Sequence, residues 1–122
     1  MWLIPESVKI FVSTSPTDLR KSWNGLSNLA ESVIRQDPLS GHVFVFFNRS
    51  RDRVKILWWH RGGFNLFCRR LEKGRFATQA IFSKDQDCRT VSGVELTMIL
   101  EGIDLTTTRK RARWIPKRSR LL

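Results

Sequence analysis

The 122-residue sequence lacks several features that mark whole classes of protein. It has no run near the roughly 20 apolar residues that cross a bilayer, and its first residues lack the basic segment of a signal peptide. Its two cysteines, Cys68 and Cys88, have no CxxC spacing, which argues against a structural zinc site. Cys68 lies in an apolar stretch and is expected to be buried, without a disulfide to Cys88. The sequence therefore predicts a cytoplasmic protein of one domain, with no membrane contact.

Acidic residues are also scarce, since 11 of them stand against 22 lysines and arginines, which gives a net charge of +11. Residues 106–122 hold seven of the basic residues and no acidic one, so residues 1–105 carry only +4. We expect residues 1–105 to form a single α+β domain and residues 106–122 to form a flexible basic tail. This charge favours a polyanionic partner, usually nucleic acid, although cationic tails also aid solubility or anchor proteins on acidic proteins and lipids.

The first part of the chain predicts a strand followed by a long helix. Val8–Ser13 alternates apolar and polar residues, as a half-buried strand does. Ser15 and Asp18 fit the cap and third position of a helix start, and apolar residues then recur at helical spacing. The pattern predicts a helix over Pro16–Arg35 whose apolar stripe, which includes Trp23, packs on a sheet.

Four more strands are predicted in the middle of the chain. They are His42–Asn48, Val54–Trp59, Phe64–Glu72 and Arg75–Phe82. The first of them has apolar residues on both faces, which is typical of a central strand covered on both sides. The last two are predicted to be joined by a two-residue loop, Lys73-Gly74, which would set Glu72 opposite Arg75.

A polar connection and a short helix are predicted to complete the domain. Ser83–Thr90 is polar, and Ser92 with Glu95 forms a second capping box. The helix is expected over Gly93–Glu101, with Gly102 in the left-handed position that ends it. The predicted fold class is α+β, an antiparallel meander of about five strands with one long helix packed on it and a short C-terminal helix.

The sequence contains few of the residue patterns that catalytic sites require. Metal-dependent cleavage of a phosphodiester needs two or three converging carboxylates, whereas the acidic residues here are scattered over turns and helix starts. No nucleophile elbow, phosphate-binding glycine loop or dinucleotide fingerprint occurs. We therefore expect no catalytic residue, no metal site and no cofactor. A small metal-dependent nuclease that uses Asp52 or Asp85 remains a less favoured alternative.

Basic residues interleaved with aromatic ones carry the functional signal. Arginine forks suit phosphates, and exposed tryptophans can stack on bases. The predicted nucleic-acid contacts are Arg49, Arg51, Arg53, Lys55, Arg61, Arg69, Arg70, Lys73, Arg75, Arg109, Lys110, Arg111 and Arg113. Because neighbouring strand residues point to opposite faces, Trp58 is expected in the core, and Trp59 with Phe64 is predicted to form an exposed partner-binding surface.

Five blocks of the sequence resemble the small TnpB-type accessory protein that the second reading frame of IS66-type bacterial insertion sequences encodes. The blocks are Thr17–Lys21 with Gly25-Leu26, Asp37–Phe46, Val54–Trp59, Arg69–Phe76 and Leu100–Asp104. They follow in the family's order and spacing from about Ile4 to Leu105. Two positions depart from the pattern: His60 stands where an acid is common, and Arg69 stands where a lysine is typical.

The resemblance implies a role in DNA transposition, beside a separate and larger transposase that carries the catalytic acids. It implies no catalytic residue for this chain, and the His60 departure argues against an acidic role there. The sequence thus predicts a non-catalytic accessory protein that binds DNA phosphates, helps to assemble the transposase–DNA complex, or does both. The main alternative is a protein–protein adaptor that docks the transposase through Trp59 and Phe64 without touching DNA.

Overall fold

Five strands form one mostly antiparallel sheet in the computed structural model, which describes residues 5–103. The strands are β1 (Ile10–Ser13), β2 (Val43–Phe47), β3 (Arg53–His60), β4 (Gly63–Arg70) and β5 (Cys88–Val91). Their order across the sheet is β4-β3-β2-β1-β5, and only the β1–β2 pair is parallel. The helices are α1 (Trp23–Leu29), which continues as a π-helical turn over Ala30–Ile34, and α2 (Gly93–Leu100). The predicted α+β class is confirmed.

The central strand β2 separates two hydrophobic cores. All five of its residues are buried, as the apolar pattern predicted. Phe44 and Phe46 face the core under α1, which contributes Leu26. Val45 and Phe47 face the opposite core, which lies under α2. Helices on both faces of the sheet explain why this strand is apolar throughout. The parallel β1–β2 pair follows from the helical crossover between the two strands.

The predicted start of the long helix is wrong, because residues 16–22 are not helical and α1 begins at Trp23. The Thr17 N–H donates to the Phe47 carbonyl at 2.8 Å, which fixes this segment beside the end of β2. The Asp18 carboxylate accepts hydrogen bonds from Arg20 instead of capping a helix. The buried stripe of the helix starts at Leu26, so Trp23 is exposed and not in the core.

The predicted strand Arg75–Phe82 is also wrong. Residues 71–82 instead fold back across the sheet, where Phe76 and Ile81 are buried in the core under α2. The Phe76 N–H donates to the Arg51 carbonyl at 2.7 Å, and its ring lies 5.4 Å from that of Phe47. Anchorage by one aromatic ring therefore replaces strand pairing in this segment.

The fifth strand comes from the segment that was predicted to be a polar connection. Cys88–Val91 pairs antiparallel with β1, so that Val91 lies opposite Ile10 and is buried. Residues 71–82 form no strand, so the predicted strand register that sets Glu72 opposite Arg75 is wrong. The Glu72 carboxylate accepts a hydrogen bond from Arg70 at 2.9 Å. Burial of one face was sufficient to recruit a mostly polar segment into the sheet.

The predicted C-terminal helix is confirmed in detail. The Ser92 hydroxyl accepts from the Glu95 N–H at 3.0 Å, and the Glu95 carboxylate accepts from the Ser92 N–H at 3.0 Å. Gly102 has a φ of 78°, and its N–H donates to the Ile99 carbonyl, which ends the helix as predicted. Within residues 5–103, no helix has the length and apolar character needed to cross a membrane. The basic tail and its predicted contacts Arg109, Lys110, Arg111 and Arg113 lie outside the described residues.

Candidate nucleic-acid interface

One end of the sheet gathers a cluster of basic side chains. At this end β2 stops, β3 starts and β4 stops, so chain direction alone brings three segments together. Arg53 begins β3 and lies directly opposite Arg70, the last residue of β4. Arg69 and Lys55 lie one and two positions from that pair, and Arg49 lies in the preceding turn. We call Arg49, Arg53, Lys55, Arg69 and Arg70 the basic end.

Two grooves cross the basic end and join at Arg53. The first, of about 500 Å³, lies between residues 16–20 and the turn at Asn48–Ser50. The second, of about 360 Å³, is lined by Leu19 and by the ends of β3 and β4. Because Arg53 and Leu19 line both grooves, the two grooves adjoin. Arg53 and Arg70 share one face of the sheet, whereas Arg69, opposite the buried Val54, projects from the other face.

The positive charge of this surface is largely uncompensated. Arg49, Arg53 and Arg69 make no ion pair with any carboxylate of residues 5–103, whereas Arg70 pairs with Glu72 at 2.9 Å. Like charges directly opposite each other in a sheet, such as Arg53 and Arg70, destabilise the pairing. A surface that serves only solubility has no need of this repulsion, so its presence favours an anionic ligand.

Asp18 and Arg20 border the first groove, and Arg20 is absent from the predicted set of nucleic-acid contacts. The Arg20 guanidinium donates to both Asp18 carboxylate oxygens, with an Nη2–Oδ2 distance of 2.7 Å. This hydrogen bond, with the one from the Arg20 backbone N–H, lowers the pKa of Asp18 to about 2. The Arg20 side chain remains 91% exposed, so the pair contributes little to stability. The block Thr17–Lys21 is the available signal in the sequence, although its capping pattern predicts a helix start and not a groove.

The second groove contains the cysteine that was expected to be buried. Cys68 is exposed, which corrects that prediction. It lies opposite Lys55 near the end of the outer strand β4, where its cross-strand neighbour is charged and not apolar. The Lys55 ammonium donates to the Lys21 carbonyl at 2.8 Å, which fixes the segment before α1 against this groove.

The remaining predicted contacts are spread over other positions. Arg61 lies in the two-residue turn between β3 and β4, eight residues and about 26 Å along the strand from Arg53. Lys73 and Arg75 are exposed in the segment that follows β4, and Arg51 is half-buried in the turn after β2. The structure therefore brings together only part of the predicted set.

Trp59 and Phe64 also lie at the end of the sheet remote from the basic end. They are cross-strand partners, and their rings meet edge to face with centroids 5.0 Å apart. Both residues are half-buried, so the predicted partner surface is a packed aromatic pair with one accessible side. Trp58 packs against the core under α2, as expected.

The acidic residues of the nuclease alternative are not gathered into a site. Within residues 5–103, no three histidine, cysteine, aspartate or glutamate side chains are grouped to hold a metal ion. The Asp52 carboxylate accepts from the Asn48 side-chain amide at 2.7 Å, and the Asp52 N–H donates to Asn48 Oδ1 at 3.1 Å. Asp52 therefore holds the turn that presents Arg49.

Comparison with known proteins connects this architecture to a family. A family model described as IS66 Orf2 like protein matches residues 8–110. The chain is 32% identical to uncharacterized protein y4hO of Sinorhizobium fredii over 99 residues, which cover 81% of this chain and 84% of that protein. It is also 32% identical to uncharacterized protein y4jC of the same organism over 105 residues, with 85% and 86% covered. No solved structure matches the chain. The family match includes every residue of the basic end.

Proposed function

The chain belongs to the IS66 Orf2-like family, whose members have an accessory role in transposition of an insertion sequence, and on that premise we propose that it binds DNA through the basic end. In this proposal the protein is non-catalytic. The transposase of the same element breaks and joins the DNA, while this chain holds the phosphate backbone and helps to assemble the complex.

The two adjoining grooves that share Arg53, with the arginines Arg49 and Arg53, unpaired within residues 5–103, along them, are the observation that carries the proposal. A guanidinium group presents parallel N–H donors that match two oxygens of one phosphate. Each phosphate neutralised in this way releases condensed counterions, which drives binding at low salt. Such contacts fix position and register on the DNA without reading its sequence. We therefore expect binding with little sequence preference and with a steep dependence on salt.

The basic tail extends the same interaction. Arg109, Lys110, Arg111 and Arg113 lie in residues 106–122, which carry seven basic residues and no acidic one. In our proposal the tail adds phosphate contacts to those made by the basic end.

A salt titration of DNA binding tests the proposal. The double variant Arg49→Gln/Arg53→Gln removes two charges from the basic end, and Lys9→Gln/Arg61→Asn removes two charges from elsewhere. We expect the first variant to weaken binding and to flatten the plot of log affinity against log salt by about 0.9 for each phosphate that is no longer neutralised. The second variant should leave both quantities nearly unchanged. Equal effects of the two variants would contradict a localised DNA site.

The aromatic pair favours a second contact, with the transposase. Trp59 and Phe64 lie at the end of the sheet remote from the basic end, so a protein bound there would leave the DNA surface free. We expect Trp59→Ala to weaken capture of the transposase in a pull-down experiment. The affinity of this variant for DNA should stay unchanged. Loss of both activities together, with the fold intact, would contradict separate surfaces.

A further inference from the structure

Trp23 is exposed although the apolar pattern of the sequence places it in the core. Its side chain is 50% exposed, whereas Leu26, Ala30 and Ile34 form the buried stripe of the helix. A large aromatic side chain left half in water loses much of the stabilisation that burial would give it. The exposed half of the ring is available to a ligand.

The segment that leads into Trp23 is tied to the basic end. The Lys55 ammonium, which belongs to that surface, donates to the Lys21 carbonyl at 2.8 Å, and Lys21 precedes Trp23 by two residues. Leu19, from the same segment, lines the second groove together with Arg53 and Arg70. The segment that immediately precedes α1 is thus held at the border of the groove. Trp59 and Phe64, by contrast, lie at the far end of β3 and β4.

A basic groove bordered by an exposed aromatic ring is the combination with which proteins hold single strands, since every base has a face on which the ring can stack. In an intact duplex the bases already stack on each other and offer no free face. We infer that Trp23 stacks on an unpaired base of a single-stranded DNA segment whose phosphates lie on the basic end. This inference rests on the proposed function and adds to it a preference for DNA that is open and not paired.

Binding of one oligonucleotide, as a single strand and as a duplex, tests the inference. We expect Trp23→Ala to weaken single-strand binding by about 5- to 150-fold, the range for loss of one base–aromatic stack, and duplex binding by less than about twofold. Trp23→Phe should retain most of the single-strand affinity because it keeps an aromatic face. Val94→Ala serves as the matched control, since Val94 is another exposed apolar side chain and lies on α2. It should change neither affinity.

Each outcome of this experiment has a distinct meaning. Equal losses on single strand and duplex, no loss in Trp23→Ala, or a Trp23→Phe variant as weak as Trp23→Ala would overturn the stacking role. Wild-type protein that binds neither form of DNA would overturn the proposed function and this inference together. Wild-type binding that depends on Arg49 and Arg53 but not on Trp23 would leave the proposed function in place and overturn only the inference. Thermal unfolding of each variant distinguishes a damaged fold from a weakened DNA interaction.

Discussion

The two ends of the sheet are built from the same strands, yet they differ in chemistry. At the basic end, Arg53 and Arg70 stand opposite each other, are exposed, and lie where two grooves join. At the other end, Trp59 and Phe64 cover each other, and Arg61 is the single basic residue of the tight turn. One hairpin thus carries repelling charges at one end and apolar contact at the other. Position along the strand, and not the face of the sheet, separates the two candidate functions.

The largest expected effect is on stability, and it comes from removing one buried or half-buried aromatic ring near each end of the sheet. Phe76 is fully buried and holds residues 71–82 against Phe47 and the Arg51 carbonyl. We expect Phe76→Ala to lower the free energy of unfolding by about 3–5 kcal/mol, as deletion of a buried aromatic ring does. Phe64→Ala, at the other end, should cost clearly less because Phe64 is only half-buried. Chemical denaturation of both variants measures the difference, and equal losses would contradict it.

Deletion of residues 106–122 should have the next largest effect, and it should act on DNA binding alone. We expect a loss of affinity of about tenfold or more at moderate salt, with a flatter salt dependence, because up to seven basic side chains no longer neutralise phosphates. Filter binding measures the affinity. An unchanged affinity would show that the basic end suffices, whereas a lowered melting temperature would show that the tail also supports the fold.

Replacement of Arg61, at the end of the sheet remote from the basic end, should have a smaller effect, and it should act on stability and not on DNA binding. Arg61 and Gly62 have φ values of 47° and 81°, which fit the two central positions of a type I′ turn. Asparagine adopts this conformation more readily than arginine does, so Arg61→Asn should raise stability by up to about 1 kcal/mol. DNA affinity should change by less than about twofold. A larger loss would return Arg61 to the set of DNA contacts.

The smallest predicted effect concerns the ion pair beside the first groove. The pKa of Asp18 lies near 2, below its ordinary value of 3.8. The ionised carboxylate therefore stabilises the fold fully above about pH 3.8, and this contribution is lost as the pH falls toward 2. Titration of the side-chain carboxyl by NMR should show this midpoint, and Arg20→Gln should return it toward the ordinary value. Asp18→Asn should raise DNA affinity slightly because it frees the Arg20 guanidinium. No shift in Arg20→Gln would assign the low pKa to another cause.

Sequence reasoning succeeded where the signal was local. The capping box at Ser92, the glycine stop at Gly102 and the apolar run of β2 each depend on a few neighbouring residues, and all three are confirmed. The turn that carries Arg49 and the strand predicted from Val54, which the structure begins at Arg53, are also predictable, because hairpin connectivity brings neighbouring segments together. This is why part of the basic end could be foreseen.

The sequence-based predictions are wrong where long-range contacts decide the structure. Ser15 and Asp18 fit a helix start by sequence, but the Thr17 N–H between them donates to the carbonyl of Phe47, thirty residues away along the chain. Phe76 fits an alternating strand, but it is drawn into the core under α2. The sequence pattern does not indicate Arg20 or Trp23 for the same reason, since the course of residues 16–22 places Arg20 in the first groove and ties the segment before Trp23 to Lys55. No local pattern contains that information.

The place of Arg53 in both grooves has a consequence for how mutational effects combine. Losses from Arg49 and Arg69, which line different grooves, should add when both are replaced, as expected for side chains that bind different phosphates and do not interact with each other. Replacement of Arg53 divides the positive surface, so it weakens the attraction that each neighbouring side chain exerts on a strand crossing from one groove to the other. Double-mutant cycles on DNA affinity should then give a coupling energy between Arg53 and Arg49 and between Arg53 and Arg69. The cycle of Arg49 with Arg69 should give none.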